Sequence, residues 1–212
     1  MMRRAIPFIV LIGLAGGILW FFPLFSVVPL KRAQEEKAAA TFNPQKFAET
    51  FWTDKLLPYL DKAVPAETLL PAIQHDPADA KKRFARSLGM SDSYTYFLSG
   101  TGRVIAVSDD EISLAITAGS TNAEVSLPMG MLFGNAIRDG TGLLDVNAYP
   151  NSQDFNNIAN ELNHLVETRV LPGLKERATV GATIHFAGCA EVDDESTDLK
   201  PLHVVPIQAE VK

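Results

Sequence analysis

Three observations predict an α+β protein: a long uncharged apolar span near the N-terminus, helical periodicity from Asn43, and alternating β-rich runs from Tyr94 interrupted once by a long amphipathic helix. The first is hidden by the averages of the 212-residue chain, 47% hydrophobic with a formal charge of −6. Ala5 to Leu30 is a run of 26 residues without a charge, 19 of them apolar. As a helix it would reach about 39 Å, enough to cross a hydrocarbon core of about 30 Å with some tilt.

A cleavable signal peptide has a shorter apolar core and a small-residue site directly after it. Val27-Val28-Pro29-Leu30-Lys31-Arg32 fits that site poorly, with Ala38-Ala39-Ala40 a late alternative. No cysteine follows the run, so the sequence predicts anchoring by an uncleaved helix rather than by a lipid. Arg3 and Arg4 precede the span and Lys31 and Arg32 follow it, which leaves the orientation to the short N-terminus. The expected arrangement is a cytoplasmic tail at 1–4, a transmembrane anchor at 5–30 whose partner is the lipid bilayer, and a linker at 31–42. The body then lies outside the inner (cytoplasmic) membrane of a bacterium, as a single-pass signal-anchored protein.

Residues 43–92 read as a small helical subdomain. Asn43-Pro44 supplies an N-cap and a first-turn proline, and Phe47, Ala48, Phe51, Trp52 and Leu56 follow at helical spacing. Pro58 is expected to end or kink this helix. Ala66 to Gln74 predicts a second helix. Asp76-Pro77 opens a third through Ala80, Phe84, Ala85 and Leu88, with Gly89 as its stop.

Residues 93–212 read as a β domain. Tyr94–Leu98, Arg103–Val107, Ile112–Thr117 and Ala123–Leu127 alternate, separated by the turn-like stretches Ser99-Gly100-Thr101-Gly102, Asp109-Asp110 and Gly119-Ser120-Thr121-Asn122. Met131–Ile137 is expected to continue the sheet. A helix from Ser152 to Leu171 carries the stripe Phe155, Ile158, Ala159, Leu162, Leu165, Val166 and Val170, with Pro172-Gly173 as its terminator. Ala182–Ala190 and Leu202–Val211 are the last strands. A long helix inserted before the last two strands is the element order of an OB-like antiparallel barrel, a design that binds oligonucleotides or oligosaccharides.

Composition narrows the function. Without the four cations that flank the apolar span, 15 basic residues face 25 acidic ones, so the body carries about −10. Phosphate backbones are bound through Lys and Arg, so no nucleic acid is expected as a partner. Cys189 is the one cysteine, which rules out an intramolecular disulfide and a cysteine-based zinc cluster; in an alternating segment it reads as a core residue. His75, His164, His185 and His203 lack metal-ligand spacing. The glycines at 130, 134, 140 and 142 lack the ending of a phosphate loop, and no nucleophile elbow or zincin motif occurs. No catalytic residue, metal or cofactor is expected, and the chain reads as a non-enzyme.

The run Gly134-Asn135-Ala136-Ile137-Arg138-Asp139-Gly140, with Asn151 and Ile158-Ala159-Asn160-Glu161-Leu162-Asn163, resembles an uncharacterised bacterial family of predicted periplasmic lipoproteins, DUF2291. Trp52 and Gly100-x-Gly102-x-Val104 are also similar, so the likeness covers most of the body. Two departures stand out. The cysteine implied by "lipoprotein" is absent after the apolar run, and the family's Asn-Gln pair appears as Asn151-Ser152-Gln153, so either Ser152 or Gln153 takes the Gln position. The resemblance implies a helical subdomain beside an OB-like domain. It also implies association with sugar ABC transport systems, beside which members are often encoded, and it supplies no activity.

The candidate ligand-binding residues are Asn135, Arg138, Asp139, Asn151, Asn160 and Asn163. Arg138 and Asp139 adjoin a glycine-rich turn, where they either meet an anionic or sugar ligand or satisfy neighbouring groups. Asn156, Asn160 and Asn163 form a polar stripe that suits sugar hydroxyls or borders the buried face, and Asn151 reads as an N-cap. Two functions follow from these residues. The first is an accessory protein that binds a transporter or envelope partner; the second is a carbohydrate or small-ligand module using the barrel face.

Overall fold

The computed structural model describes residues 42–87, 92–149 and 151–212. The tail, the transmembrane anchor of residues 5–30 and the linker as far as residue 41 lie outside the described residues, as does the helix stop at Gly89. Among the described residues no helix is long and apolar enough to cross a membrane.

Side-chain caps set the helix starts in the first part of the body. Asn43 Oδ1 accepts from the Lys46 amide at 2.9 Å and opens α1 (Pro44–Phe51). The helical path then changes pitch, through a wide turn at Trp52–Leu56 and a tight one at Leu57–Lys62, so Pro58 sits in a first turn where its missing N–H costs nothing. After the short strand β1 (Val64–Pro65) comes α2 (Ala66–His75), which buries Ala66, Leu69, Leu70 and Ile73. Asp76 Oδ1 accepts from both Ala78 and Asp79 amides to start α3 (Pro77–Phe84). That helix stops short of the expected Leu88, because Ala85–Arg86 pairs as β2 with a neighbouring strand.

The sheet is organised by β3 (Tyr94–Val107), a single strand of 14 residues. The turn expected at Ser99–Gly102 does not exist. The two glycines instead admit close neighbours: a Cβ on Gly100 would lie 2.8 Å from Ala66 Cβ, and one on Gly102 would lie 2.9 Å from Leu114 Cβ. The chain continues through β4 (Glu111–Ala115) and β5 (Val125–Pro128). Met131–Ile137 does not extend the sheet but forms a loop leading into α4 (Ala136–Gly140), where the Leu132 amide is taken by the Glu167 side chain rather than by a neighbouring strand. The long helix is α5 (Ser152–Arg169), whose face of Phe155, Ile158, Ala159, Leu162, Leu165 and Val166 is buried. Pro172 occupies the first turn of a further helix, α6 (Leu171–Arg177), rather than ending helical structure.

β6 (Thr183–Val192) pairs with β3 over ten residues, and the last segment divides into β7 (Leu202–His203) and β8 (Val205–Val211). The strand order is β7-β5-β4-β3-β6-β8, with β1 and β2 added to β3. Since β7 and β8 are consecutive stretches of one chain lying at opposite ends of that path, the sheet curls into a half-barrel. Asn43–Lys212 forms one compact unit, in which α2 packs on β3 and α1 on α5.

Candidate functional site

The short helix α4 is fixed between β6 and α5, and its side chains build one wall of a cleft. Gly140 faces Cys189 on β6 so closely that a Cβ there would lie 2.6 Å from the sulfur. Arg138 is 5% exposed. Its Nε and Nη2 donate to the two carboxylate oxygens of Asp139, at 2.6 and 2.9 Å, and Nη1 donates to Asn156 Oδ1 at 2.9 Å. The guanidinium also lies 4.1 Å from the Phe155 ring centroid, a cation–π contact. A buried guanidinium so fully partnered is a structural element first.

Glu191 forms the opposite side. Its Oε2 accepts from the Asn135 amide at 2.9 Å, and Gly134 holds a left-handed φ of +86° where a Cβ would lie 2.7 Å from that oxygen. Burial pushes the Glu191 carboxyl above its ordinary value; Asp193 and Asp139 add to this, while the Asn135 amide and Arg138 oppose it. Arg86 at the end of β2, Ser93, and Tyr94 and Thr95 on β3 complete a cavity of about 200 Å³ shared with Asn135, Arg138, Asp139 and Glu191. The Thr95 hydroxyl donates to the Arg86 carbonyl at 3.3 Å, which ties the two strands together there.

Of the six residues the sequence singles out, Asn135, Arg138 and Asp139 line this cavity and three do not. Asn151 caps α5, accepting from the Asp154 amide at 2.8 Å. Asn163 is buried and donates to the Gly134 carbonyl at 3.1 Å, while Asn160 is exposed. The asparagine stripe thus divides into a partner for Arg138, an exposed carboxamide and an internal tie. Sequence reasoning missed Arg86 and Glu191, which reach the cleft from strands about 50 residues to either side of α4.

Elsewhere, polar side chains meet without forming a relay. Ser126 Oγ and Glu111 Oε2 approach the same His203 nitrogen, Nδ1, at 2.6 and 3.9 Å, so no proton path runs through the ring. His185 Nδ1 lies 2.7 Å from Thr101 Oγ1; the buried Cys189 thiol is pushed up by burial and then by Asp139, with no histidine acting on it. Among the described residues no group of three or more His, Cys, Asp or Glu is placed to hold a metal ion.

The loop that enters α4 carries a second feature. Leu132 is buried, and its amide donates to Glu167 Oε1 on α5 at 2.7 Å. On either side of it Met131 and Phe133 are 74% and 78% exposed. With the Gly134 carbonyl held by Asn163 and the Asn135 amide by Glu191, two large apolar side chains are presented on a fixed base.

A curled half-barrel with a long helix between its third and fourth principal strands places the protein in the OB-fold class. A crystal structure of an OB-fold protein from Thermotoga maritima is similar to it, with a TM-score of 0.73 and 25% identity over 81% of this chain and 99% of that one. The chain belongs to the DUF2291 family, described as predicted periplasmic lipoproteins, whose model matches residues 11–210. It is thus an envelope or periplasmic protein. No curated protein matches. The one cysteine of the sequence is the buried Cys189, so that residue is no acceptor for the lipid the family description implies.

Proposed function

We propose that this protein is a non-enzymatic accessory protein of the bacterial inner membrane, held by residues 5–30 and docking its periplasmic body onto a transport or envelope partner. The observation that carries this reading is the Met131–Phe133 loop. Large exposed apolar side chains on a pinned backbone are what protein interfaces use as anchors, because little ordering entropy is lost on binding. A sugar ABC transport system is the partner class favoured by the family resemblance. The uncharged span with cations on both flanks supports the tether.

Photo-crosslinking in cells tests the docking. A benzophenone side chain at position 133 should trap a transporter subunit, and one at Val180, also exposed at 67%, should not. The double substitution Met131→Ser with Phe133→Ser should abolish copurification of that subunit while leaving the melting temperature unchanged. Equal recovery by the double variant would end the reading.

A second reading, a carbohydrate or small-ligand module, is favoured by the cleft between α4 and β6. Its polar groups converge on a space below the roughly 300–1,000 Å³ of drug-sized pockets, which suits one sugar ring.

A further inference from the structure

Two arginines border the α4 cleft, and only one of them is neutralised. Arg138 is locked to Asp139 through two hydrogen bonds. The Arg86 guanidinium, on an exposed residue, makes no hydrogen bond or ion pair among the described residues. It is nevertheless placed: Gly142 adopts a left-handed φ of +66°, and a Cβ there would lie 2.8 Å from Arg86 Cζ and still nearer to Nη1. The missing side chain makes the shelf on which this guanidinium rests.

The cavity therefore combines a guanidinium that no carboxylate holds with spare acceptors, the Glu191 carboxyl among them. Asp139 accepts one bond on each oxygen from Arg138 and retains a lone pair on each. Glu191 spends Oε2 on the Asn135 amide, while Oε1 accepts no hydrogen bond among the described residues. The Asn135 carboxamide likewise makes no hydrogen bond there, since it does not cap α4.

We propose that this cleft binds a small sugar acid, a polyhydroxylated monocarboxylate, with Arg86 gripping the carboxylate and Asp139, Glu191 and Asn135 taking the hydroxyls. The inference rests on the second reading above and names its ligand class. A neutral sugar offers Arg86 no charged acceptor in exchange for the water it displaces. A phosphate suits the arginine fork equally well, but its second negative charge meets Asp139 and Glu191 in the same small space. The volume of about 200 Å³ admits a single sugar unit and no oligomer.

Calorimetric titration of the full-length protein in detergent decides it, using glucuronate, galacturonate and gluconate against glucose, galactose, glucose 6-phosphate and acetate. Saturable binding is expected for at least one sugar acid and for none of the others. Arg86→Gln should weaken it at least about tenfold, the loss of one charge-assisted hydrogen bond, without moving the melting temperature. Arg169→Gln, on a surface ion pair with Glu49 at 3.3 Å, should bind as the parent does. Neutral sugars binding as well as the acids would overturn the sugar-acid inference and leave the carbohydrate reading standing. Acetate binding as tightly as the sugar acids, tighter binding of the phosphate ester, or an unaffected R86Q would overturn the inference, and no binding by any of these ligands would remove both.

Discussion

Arg138 and Arg86 sit on the same cleft and teach opposite lessons. The first is buried, over the Phe155 ring and bonded to Asp139 and Asn156; the second is exposed, lying over a glycine with its donors uncommitted. Desolvating a guanidinium is costly, so the inner wall tolerates one only when each of its nitrogens has a partner. At the mouth water supplies the partners, and a ligand can replace it at little cost. One region is committed to the fold, and the other keeps its donors uncommitted.

Breaking the inner wall should have the largest effect. Arg138→Met leaves Asp139 a largely buried carboxylate without its cation, a loss of about 3–5 kcal/mol. For a body of this size that lowers the melting temperature by about 6–20 °C, and a fall below about 2 °C would show the pair to be dispensable. Gly140→Ala comes next, since its methyl group enters the space of the Cys189 sulfur and overpacking costs about 1–3 kcal/mol. Adding Cys189→Ala should recover part of that loss, a coupling readable from a double-mutant cycle in urea.

Glu191 lies between the two regions and should show itself in pH dependence. Its carboxyl is held above the ordinary glutamate value, chiefly by burial, so the folded state binds this proton more tightly than the unfolded chain does. The contribution is complete below the ordinary value and is lost as pH rises through the raised one. Glu191→Gln removes that slope, and its stability relative to the parent should improve as pH rises from the ordinary glutamate value through the raised one in urea titrations. A constant difference would mean that the folded protein does not raise this group. The smallest effect belongs to the mouth, where Arg86→Gln should change stability by less than about 0.5 kcal/mol.

Local chemistry was legible in the sequence. Asn43, Asp76 and Asn151 cap helices as their side chains dictate, and the stripe from Phe155 to Val166 is buried as its spacing requires. The errors lie where one residue type serves two physical ends. Glycine signals a turn, yet Gly100 and Gly102 sit inside a strand because neighbouring side chains crowd it. Proline signals a stop, yet Pro172 begins a helix. Alternation signals a strand, and it is present around Leu132, but the amide there is bonded to the Glu167 side chain and not to a strand. The cleft was half legible: Arg138 and Asp139 stood out beside their glycines, whereas Arg86 and Glu191 become neighbours only once β2 and β6 flank the same strand.

The sulfur of Cys189, sealed beneath Gly140, gives the molecule a built-in clock. A thiol reagent reaches it when α4 lifts from β6 or when the fold opens more widely, and no other thiol competes for the label. Where it exceeds the rate of global unfolding, the rate of modification times the opening of the α4 wall in the intact protein. A ligand that spans the cleft from Arg86 to Asp139 should slow that rate in proportion to its occupancy.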